Sequence, residues 1–432
     1  MIDEHTLYVD NFRGFKDTYI PIADINFLVG ENSSGKTSIL SLLKLMSEDR
    51  LLIESQFMAD DVDLGTFQDI VSAQTDDSSY FRIGLIRWDI HENRKMPMAI
   101  LVTYEKHEGL PRDVQFTCTY DTKELTLRRT GNHFYFRTRS NAISPTTNIK
   151  QLLATWVRDH KTPRGTFKKL EVPFAPEQSL LFPLSWVALN VPLSKDKDRK
   201  RLPLLSPEIF PPIAWVAPIR TKPRRTYDEL RRGFSSEGTH TPYLIRRLLD
   251  SASQAKRFKS IIHEVGRGSG LFESVSINKF GKDVTAPFEI QIALGKNSFN
   301  IVNVGYGVSQ ALPVAVEILA RPIGSWFSIQ QPEVHLHPRA QAAFGDLIFL
   351  MAISEQKKFL IETHSDFMID RYRSNFRKRI AKPKSQILFF ERRNGRNRVT
   401  ALPINQRGEL PMDQPQSYRR FFIKEQMDLL SI

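Results

Sequence analysis

The sequence predicts an α/β protein: a mixed sheet that carries a glycine-rich loop, an antiparallel β subdomain, and an inserted, mainly helical lobe. Three observations carry that prediction. A loop at residues 30–37 with glycines at both ends sits between a short apolar run and a helical pattern. Residues 80–140 alternate apolar and polar side chains in several stretches, the period of half-buried antiparallel strands. Toward the C-terminus, two short apolar runs ending in polar residues alternate with helical patterns, the order expected of parallel strands.

Taken in order, Thr6 to Asp10 and Thr18 to Ile22 read as two strands around the turn Asn11-Phe12-Arg13-Gly14-Phe15. Ile25-Asn26-Phe27-Leu28-Val29 is a buried strand, and Gly30-Glu31-Asn32-Ser33-Ser34-Gly35-Lys36-Thr37 follows directly, with Ser38 opening an apolar helix. This is G-x-x-x-x-G-K-[ST]. Gly30 and Gly35 let the backbone curl so that N–H groups, including those of Glu31, Asn32, Ser33 and Ser34, face phosphate oxygens. Lys36 then reaches the β- and γ-phosphates and the Thr37 hydroxyl ligates Mg²⁺. The helix N-terminus adds a favourable dipole for an anion. A glycine turn that matches by chance is the alternative; a strand before it and a helix after it argue for a nucleoside triphosphate cradle over residues 30–38.

Strands follow at Phe81 to Leu85, Ala99 to Tyr104, Val114 to Tyr120 and Phe134 to Phe136. Residues 145–212 mix a helical patch, Ile149 to Val157, with a charged, proline-containing stretch, and read as an inserted second lobe. Tyr243 to Val265 has helical periodicity, 271–303 returns to short strands, and Val308 to Ala320 is a helix. Trp326 to Ile329 is a buried strand, Pro338 to Ile353 a helix, and Lys358 to Glu362 another buried strand. The division expected is therefore 1–144, 145–212 and 213–432.

Composition narrows the classes. The 432 residues are 41% hydrophobic and 25% charged, ordinary globular usage. A single cysteine, Cys118, excludes an internal disulfide and suits a reducing compartment. The acidic start has no apolar signal region, and the most apolar run, Phe344 to Ile353, is too short to span a bilayer, so a cytoplasmic protein without a membrane partner is expected. The net charge of +13 fits either a polyanionic partner such as DNA or a basic surface kept for solubility. Lys195 to Arg201 alternates with aspartates and reads as a solvated loop. Arg220 to Arg232, with prolines and Tyr227, is the better candidate for phosphate contacts.

Further segments gain meaning from their order. Asn303-Val304-Gly305-Tyr306-Gly307-Val308-Ser309-Gln310 is a glycine-loosened turn presenting a serine at a helix start. Gln330-Gln331-Pro332-Glu333 closes a buried strand where the acids of a Walker B motif would sit. His335 and His337 follow with no acid or cysteine at ligand spacing, which points to a structural or interface role rather than a metal site. Glu362-Thr363-His364-Ser365-Asp366 places a histidine at the end of the last buried strand, able to bond a γ-phosphate or orient water. Gly408 to Leu430 is a turn leading into an amphipathic helix.

In this order the segments resemble the ABC-class ATPases of the OLD/RecF/SMC group. Asn11 to Lys16 resembles their N-terminal strand-turn, Gly305 to Pro313 their signature motif, Gln330 to Pro338 their Walker B and D-loop, and Glu362 to Asp366 their switch histidine. Ala217-Pro218-Ile219-Arg220 and Glu237 to Pro242 resemble segments of short OLD-like ATPases. The resemblance covers about residues 1–75 and 213–432. It implies a P-loop ABC-ATPase head with ATP and Mg²⁺ as cofactors. It also implies a homo-oligomer, a dimer of heads or higher, in which Ser309 of one copy contacts the γ-phosphate held by the other. His364 would sense that phosphate and Arg13 would reach it. The Q-loop glutamine stays open among Gln56, Gln68 and Gln151.

Two departures matter. Gln330 and Gln331 stand where the family carries the Walker B acid and the catalytic glutamate. A neutral amide neither offsets Mg²⁺ charge as a carboxylate does nor accepts a proton from water. Glu333 is the nearest spare acid, so the catalytic candidates are Gln331, Glu333 and His364, and slow or absent hydrolysis is expected. Second, no acid cluster of nuclease type follows His364. The pattern resembles the ATPase subunits of two-component antiphage systems such as Septu, whose companion is an HNH nuclease, and PARIS, whose companion is a TOPRIM nuclease. The expectation is an antiviral scaffold or sensor that regulates a separate nuclease subunit. The runner-up is a RecF-like repair ATPase that binds duplex through its basic segments. A small P-loop kinase and a transporter ATPase fit the signature-like segment and the long strand-rich stretch less well.

Overall fold

The structure is a computed structural model and describes residues 5–91, 94–120, 123–139, 148–161, 166–171, 174–175, 177–190, 210–228, 233–283 and 285–422. The chain divides into two compact units. One comprises Met1–Ala23, Glu31–Pro212 and Phe390–Ala401; the other comprises Asp24–Gly30, Ile213–Phe389 and Leu402–Ile432.

The first unit is built on an antiparallel sheet of eight strands. From one edge the order is Lys168–Lys169, His133–Arg139, Lys123–Thr130, Leu110–Tyr120, Arg94–His107, Tyr80–His91, His5–Asp10 and Thr18–Ile22. Period-two alternation produces it: Leu7 opposes Leu85 and Val9 opposes Ile83, all buried. Phe81 and Tyr104 are register partners whose rings stack at 5.1 Å.

The expected separate lobe at 145–212 is not what the described residues form. Helix Ile149–Lys161 lies on this same sheet, with Leu153 and Trp156 packed against Tyr8, Ile86, Ala99 and Leu101. The Trp156 indole donates to Glu124 at 2.8 Å, and Arg139 pairs with Asp159 at 2.8 Å. Helix Leu181–Asn190 is held at its start by Asp113, whose carboxylate accepts from the Leu180 N–H at 2.7 Å and the Ser179 hydroxyl at 2.9 Å. These buried polar ties make the helices a cover of the sheet. The run Lys195 to Arg201 lies outside the described residues.

The second unit centres on four parallel strands in the order Ile213–Val216, Trp326–Gln330, Lys358–Glu362, Ile25–Gly30. They are apolar on both faces, as a sheet covered by helices requires. Phe327 and Phe359, partners in register, stack at 5.1 Å. Late in the chain come two further strands, Ser385–Arg393 and Arg396–Pro403. Helices Tyr306–Ala320, Pro338–Glu355 and Asp366–Ser374 follow their strands or turns. A three-stranded antiparallel sheet, Ser274–Lys279, Phe288–Leu294 and Asn297–Asn300, completes the unit.

The single helix expected over Tyr243 to Val265 is two, Thr241–Asp250 and Ala252–Ser269. Ser251 is extended (φ −83°, ψ 113°), and its carbonyl accepts from Gln254 and Ala255 to start the second helix. Serine favours that position over a helix interior. The predicted C-terminal helix is described only over 416–422, where Tyr418 packs on Phe389 at 5.3 Å; the rest lies outside the described residues. Among the described residues no helix is long and apolar enough to cross a membrane.

Gly345 sets the crossing of helices Pro338–Glu355 and Asp366–Ser374. A Cβ there would lie 2.4 Å from the Met368 carbonyl oxygen and 2.9 Å from the Tyr372 nitrogen. Gly345→Ala is therefore expected to lose about 1–3 kcal/mol of stability by overpacking, read from urea denaturation against wild type.

Candidate nucleotide-binding site

In the first unit, the loop helix Lys36–Met46 starts from Gly35. Ser33 (φ 60°) and Gly35 (φ 96°) are left-handed, the backbone that turns successive N–H groups to one side. The Ser34 hydroxyl and the Lys36 ammonium both donate to the Glu31 carbonyl at 2.7 Å, closing the loop on itself. Glu31, Asn32, Ser33 and Thr37 are exposed, Ser38 is partly so, and Lys36 is buried. Gly35 is required twice: by its φ, and because a Cβ would sit 2.5 Å from the Phe15 ring and 2.9 Å from the Asn397 amide nitrogen.

Asn397 is a residue sequence reasoning missed. Its backbone N–H donates to Gly14 O at 2.9 Å and its side-chain amide to Arg13 O at 2.8 Å, so it ties the N-terminal turn beside Gly35. The signal was present in Asn394-Gly395, both at positive φ, a hairpin turn that fixes which residues face inward.

Arg13, at φ 42°, donates to Leu64 O at 2.7 Å, Asp69 O at 3.2 Å and the Ser38 hydroxyl at 3.4 Å. Burial lowers the pKa of its guanidinium, and Asp69 and Asp63 oppose that shift. The group thus stands one residue beyond Thr37, engaged with the protein. Through Arg13 the loop helix is joined to the short helix Phe67–Ile70, capped by a Thr66–Asp69 box. Of the three candidate Q-loop glutamines, Gln68 is the one on that helix, and it is exposed.

In the second unit, Gln330 ends its strand opposite Glu362, and its side-chain amide donates to the Glu362 carboxylate at 3.5 Å. Gln331 takes φ 42°, and its N–H donates to Glu362 O at 2.8 Å. Glu333 spends both carboxylate oxygens on the switch segment: one accepts from the His364 N–H at 2.7 Å, the other from the Thr363 hydroxyl at 2.9 Å. Burial raises the pKa of its carboxyl, against those hydrogen bonds and the charge of Arg220. The His364 ring lies 6.2 Å from Phe421. Arg220, 2% exposed, donates through Nη2 to Gln330 O at 3.2 Å, while its Nε and Nη1 find no partner among the described residues. Burial pushes the pKa of its guanidinium down to about 10. The basic stretch expected to offer phosphate contacts begins with an internal residue; Lys222, Arg224 and Arg225 are exposed, and Arg231 and Arg232 lie outside the described residues.

Ser309 is buried, and its hydroxyl donates back to Tyr306 O at 2.7 Å. What the signature helix exposes at its start is Gly305 and Tyr306, the latter edge-on to His335 at 4.9 Å. His337 caps helix Pro338–Glu355 by accepting from the Ala340 N–H. Further along the signature helix, Glu317 receives a hydrogen bond from buried His240 at 2.9 Å. The other ring nitrogen of His240 lies 3.2 Å from the Ser235 N–H, which donates to it.

Two family models match the sequence. Residues 5–151 match one described as "AAA ATPase domain", and residues 191–370 match one described as "AAA domain, putative AbiEii toxin, Type IV TA system". A search of curated proteins finds no match. Solved structures similar to this chain include the SMC head domain from Thermotoga maritima, at 12% identity and TM-score 0.41 over 92% of this chain and 98% of that one. The Smc head domain from Pyrococcus furiosus, with an extended coiled coil and bound to the C-terminal domain of ScpA, matches at 12% and TM-score 0.40 over 99% and 98%. The recombination mediator RecF of the RecFOR pathway matches at 10% and TM-score 0.30 over 92% and 99%. The chain carries the sequence pattern of AAA-type ATPase domains in both of its matched stretches.

Burial works against ionisation of Glu317, but the His240 hydrogen bond and the Arg321 charge outweigh it and hold its carboxyl below the ordinary range. A carboxyl depressed in the folded state contributes stability that is present above its unfolded pKa and lost as pH falls through its folded pKa. Glu317→Gln is expected to cost about 1–3 kcal/mol at neutral pH and to flatten the acid limb of a stability-against-pH curve measured by thermal melting.

Proposed function

We propose that this chain is an ATP-binding ABC-type ATPase subunit that acts as scaffold and sensor in an antiphage defence complex, controlling a separate nuclease subunit and hydrolysing ATP weakly or not at all. The observation that carries the reading is a well-formed P-loop in a chain whose strand-end acids are amides, Gln330 and Gln331, and whose nearest spare acid, Glu333, is committed to Thr363 and His364. In this reading the N–H groups of Gly30 to Ser38 bind the phosphates, Lys36 neutralises the β- and γ-oxygens, and Thr37 offers its hydroxyl to Mg²⁺. The ion, when bound, offsets phosphate charge and fixes the triphosphate's conformation.

Hydrolysis needs a base for the attacking water. Gln331 has none to offer. Glu333 holds the switch segment: a carboxylate that accepts from a backbone N–H and a hydroxyl favours staying where it is. His364 reports on the nucleotide through that same clamp. ATP therefore works as a ligand that holds an assembly of heads, with Ser309 and Tyr306 at the start of the signature helix meeting a second copy. The resemblance to Septu- and PARIS-type ATPases supports a nuclease partner, of HNH or TOPRIM type, in the cytoplasm, and the family description naming a toxin is compatible with defence.

Purified protein is expected to bind ATP, with Lys36→Ala weakening binding at least tenfold in a fluorescent-nucleotide titration. It is expected to turn over less than about once per minute, far below the ~1–10³ s⁻¹ of ordinary enzymes. Mass photometry should show a larger assembly with ATP than without. Turnover of several per second that Lys36→Ala abolishes defeats the low-hydrolysis reading. Steeply salt-dependent DNA binding by the isolated chain would replace the scaffold with a RecF-like role.

A further inference from the structure

We infer that a cavity of about 930 Å³ in the second unit is a binding site for a small aromatic anion, a planar ring that carries a carboxylate or a phosphate. The inference does not depend on nucleotide binding at residues 30–37. The cavity lies between helix Thr241–Asp250, the end of helix Tyr306–Ala320 and the start of strand Phe288–Leu294. Its volume is at the upper end of small-molecule sites, about 300–1,000 Å³. One wall is aromatic. The rings of Tyr227, Tyr243 and Phe288 form a triangle with centroids 5.6, 5.7 and 6.1 Å apart. Phe234 also lines the cavity; it is 39% exposed, with its ring 5.2 Å from that of His240. Aromatic faces and edges of this kind accept a further flat ring.

The charged groups around the cavity divide into those already engaged and those still free. Arg246 gives its Nη nitrogens to Ala286 O and Asp283 O, each at 2.9 Å, and lies over the Phe288 ring at 5.0 Å. Asp250 is paired with Lys279 at 2.6 Å. Glu317 places one carboxylate oxygen 2.9 Å from His240 and accepts from Arg321 Nε with the other at 2.5 Å. Arg321 lies over the Phe234 ring at 4.8 Å, and its Nη nitrogens meet no partner among the described residues. Arg247 is exposed, and its guanidinium likewise meets none. It stands one turn from Tyr243, so one helix face supplies both a ring and a cation. Against these two guanidinium groups the lining keeps one free acid, the exposed Asp228. A neutral apolar ligand would desolvate the Arg321 terminus without giving it a partner, which is costly. A ring with one anionic group gives it one, and guanidinium forks match carboxylate and phosphate oxygens. Glu317 is a positioning residue here: by holding Nε it leaves the two Nη nitrogens for that group.

The test titrates two dyes that fluoresce in apolar surroundings: 8-anilinonaphthalene-1-sulfonate, an aromatic anion, and N-phenyl-1-naphthylamine, its uncharged relative. Wild type is expected to bind the anion at a single saturable site. Arg247→Gln should weaken that binding about tenfold, the loss of one charge-assisted hydrogen bond, and leave affinity for the uncharged dye within about twofold. Ala320→Trp, which fills the cavity from the end of the signature helix, should abolish binding of both dyes while its circular dichroism matches wild type. Competition by adenosine monophosphate or by indole-3-acetate then tells a phosphate ligand from a carboxylate one. Equal affinity of wild type and Arg247→Gln for the anion overturns the inference. So does anion binding that survives in folded Ala320→Trp, and so does displacement by neither competitor. Should Ala320→Trp fail to fold, Arg247→Gln and the competitors decide alone.

Discussion

The structure depends on one backbone ladder, the parallel register that levels Gln330, Glu362 and Leu28. Thr363 N–H to Leu28 O and Gln331 N–H to Glu362 O carry it past the strand ends. Because side chains alternate with period two, a slip of one residue would turn every strand-end group to the opposite face. The stacked pair Phe327 and Phe359, each three residues back from its strand end, prevents it, since both sheet faces are filled with apolar side chains that a slip would mispack. A core constraint thus decides which polar atoms stand at the sheet edge.

Much of this was legible in the sequence. The G-x-x-x-x-G-K-[ST] loop, its strand and its helix lie where their local patterns put them, and Lys358–Glu362 was bounded to the residue. Local periodicity suffices where burial on one side or both is continuous along a short segment. It failed where the deciding contacts are distant. Residues 149–190 look like an insert because nothing local reveals that Trp156 will reach Glu124, or that Asp113 will hold the start of a helix near residue 180. Asn397 contacts Arg13 across 384 positions of sequence, and no single-sequence pattern announces such a pair. The break at Ser251 was local but weak, a polar residue favouring extended backbone inside an otherwise helical run.

The strand-end residues sort by the charge they carry and the bonds they have made. Gln331 sits at φ 42°, where a residue with a Cβ pays about 1–2 kcal/mol; the ladder bond to Glu362 helps hold it there. Strain of this kind persists where surrounding structure over-determines it. Arg220 is a second sign of the same tension. A buried guanidinium whose Nε and Nη1 find no partner among the described residues is costly for the isolated fold, and it lies against the carbonyl of Gln330. Neutral amides at 330 and 331 therefore do not make this edge inert. Its charged and acidic side chains are Arg220, Glu333 and Glu362, and hydrogen bonds from Arg220 and to the Glu362 carbonyl hold the backbone of the glutamines.

The inward turn of Ser309 is compatible with a role at an interface, and magnitudes show why. Its hydroxyl is held by one neutral hydrogen bond to Tyr306 O, within its own helix, worth about 0.5–1.5 kcal/mol net. A hydrogen bond to a charged phosphate oxygen is worth about 1.5–3 kcal/mol, enough to offset the loss in the proposed assembly, where a second copy would bring a nucleotide to the start of this helix. Tyr306, exposed and lying edge-on to His335, stands one turn ahead of the serine. Its backbone carbonyl is the acceptor that such an exchange would release. The serine then needs only a rotamer change, while the helix that carries it stays anchored by Glu317 to His240. The segment is thus rigid in its frame, and the contact proposed for it asks for a change at a single side-chain torsion.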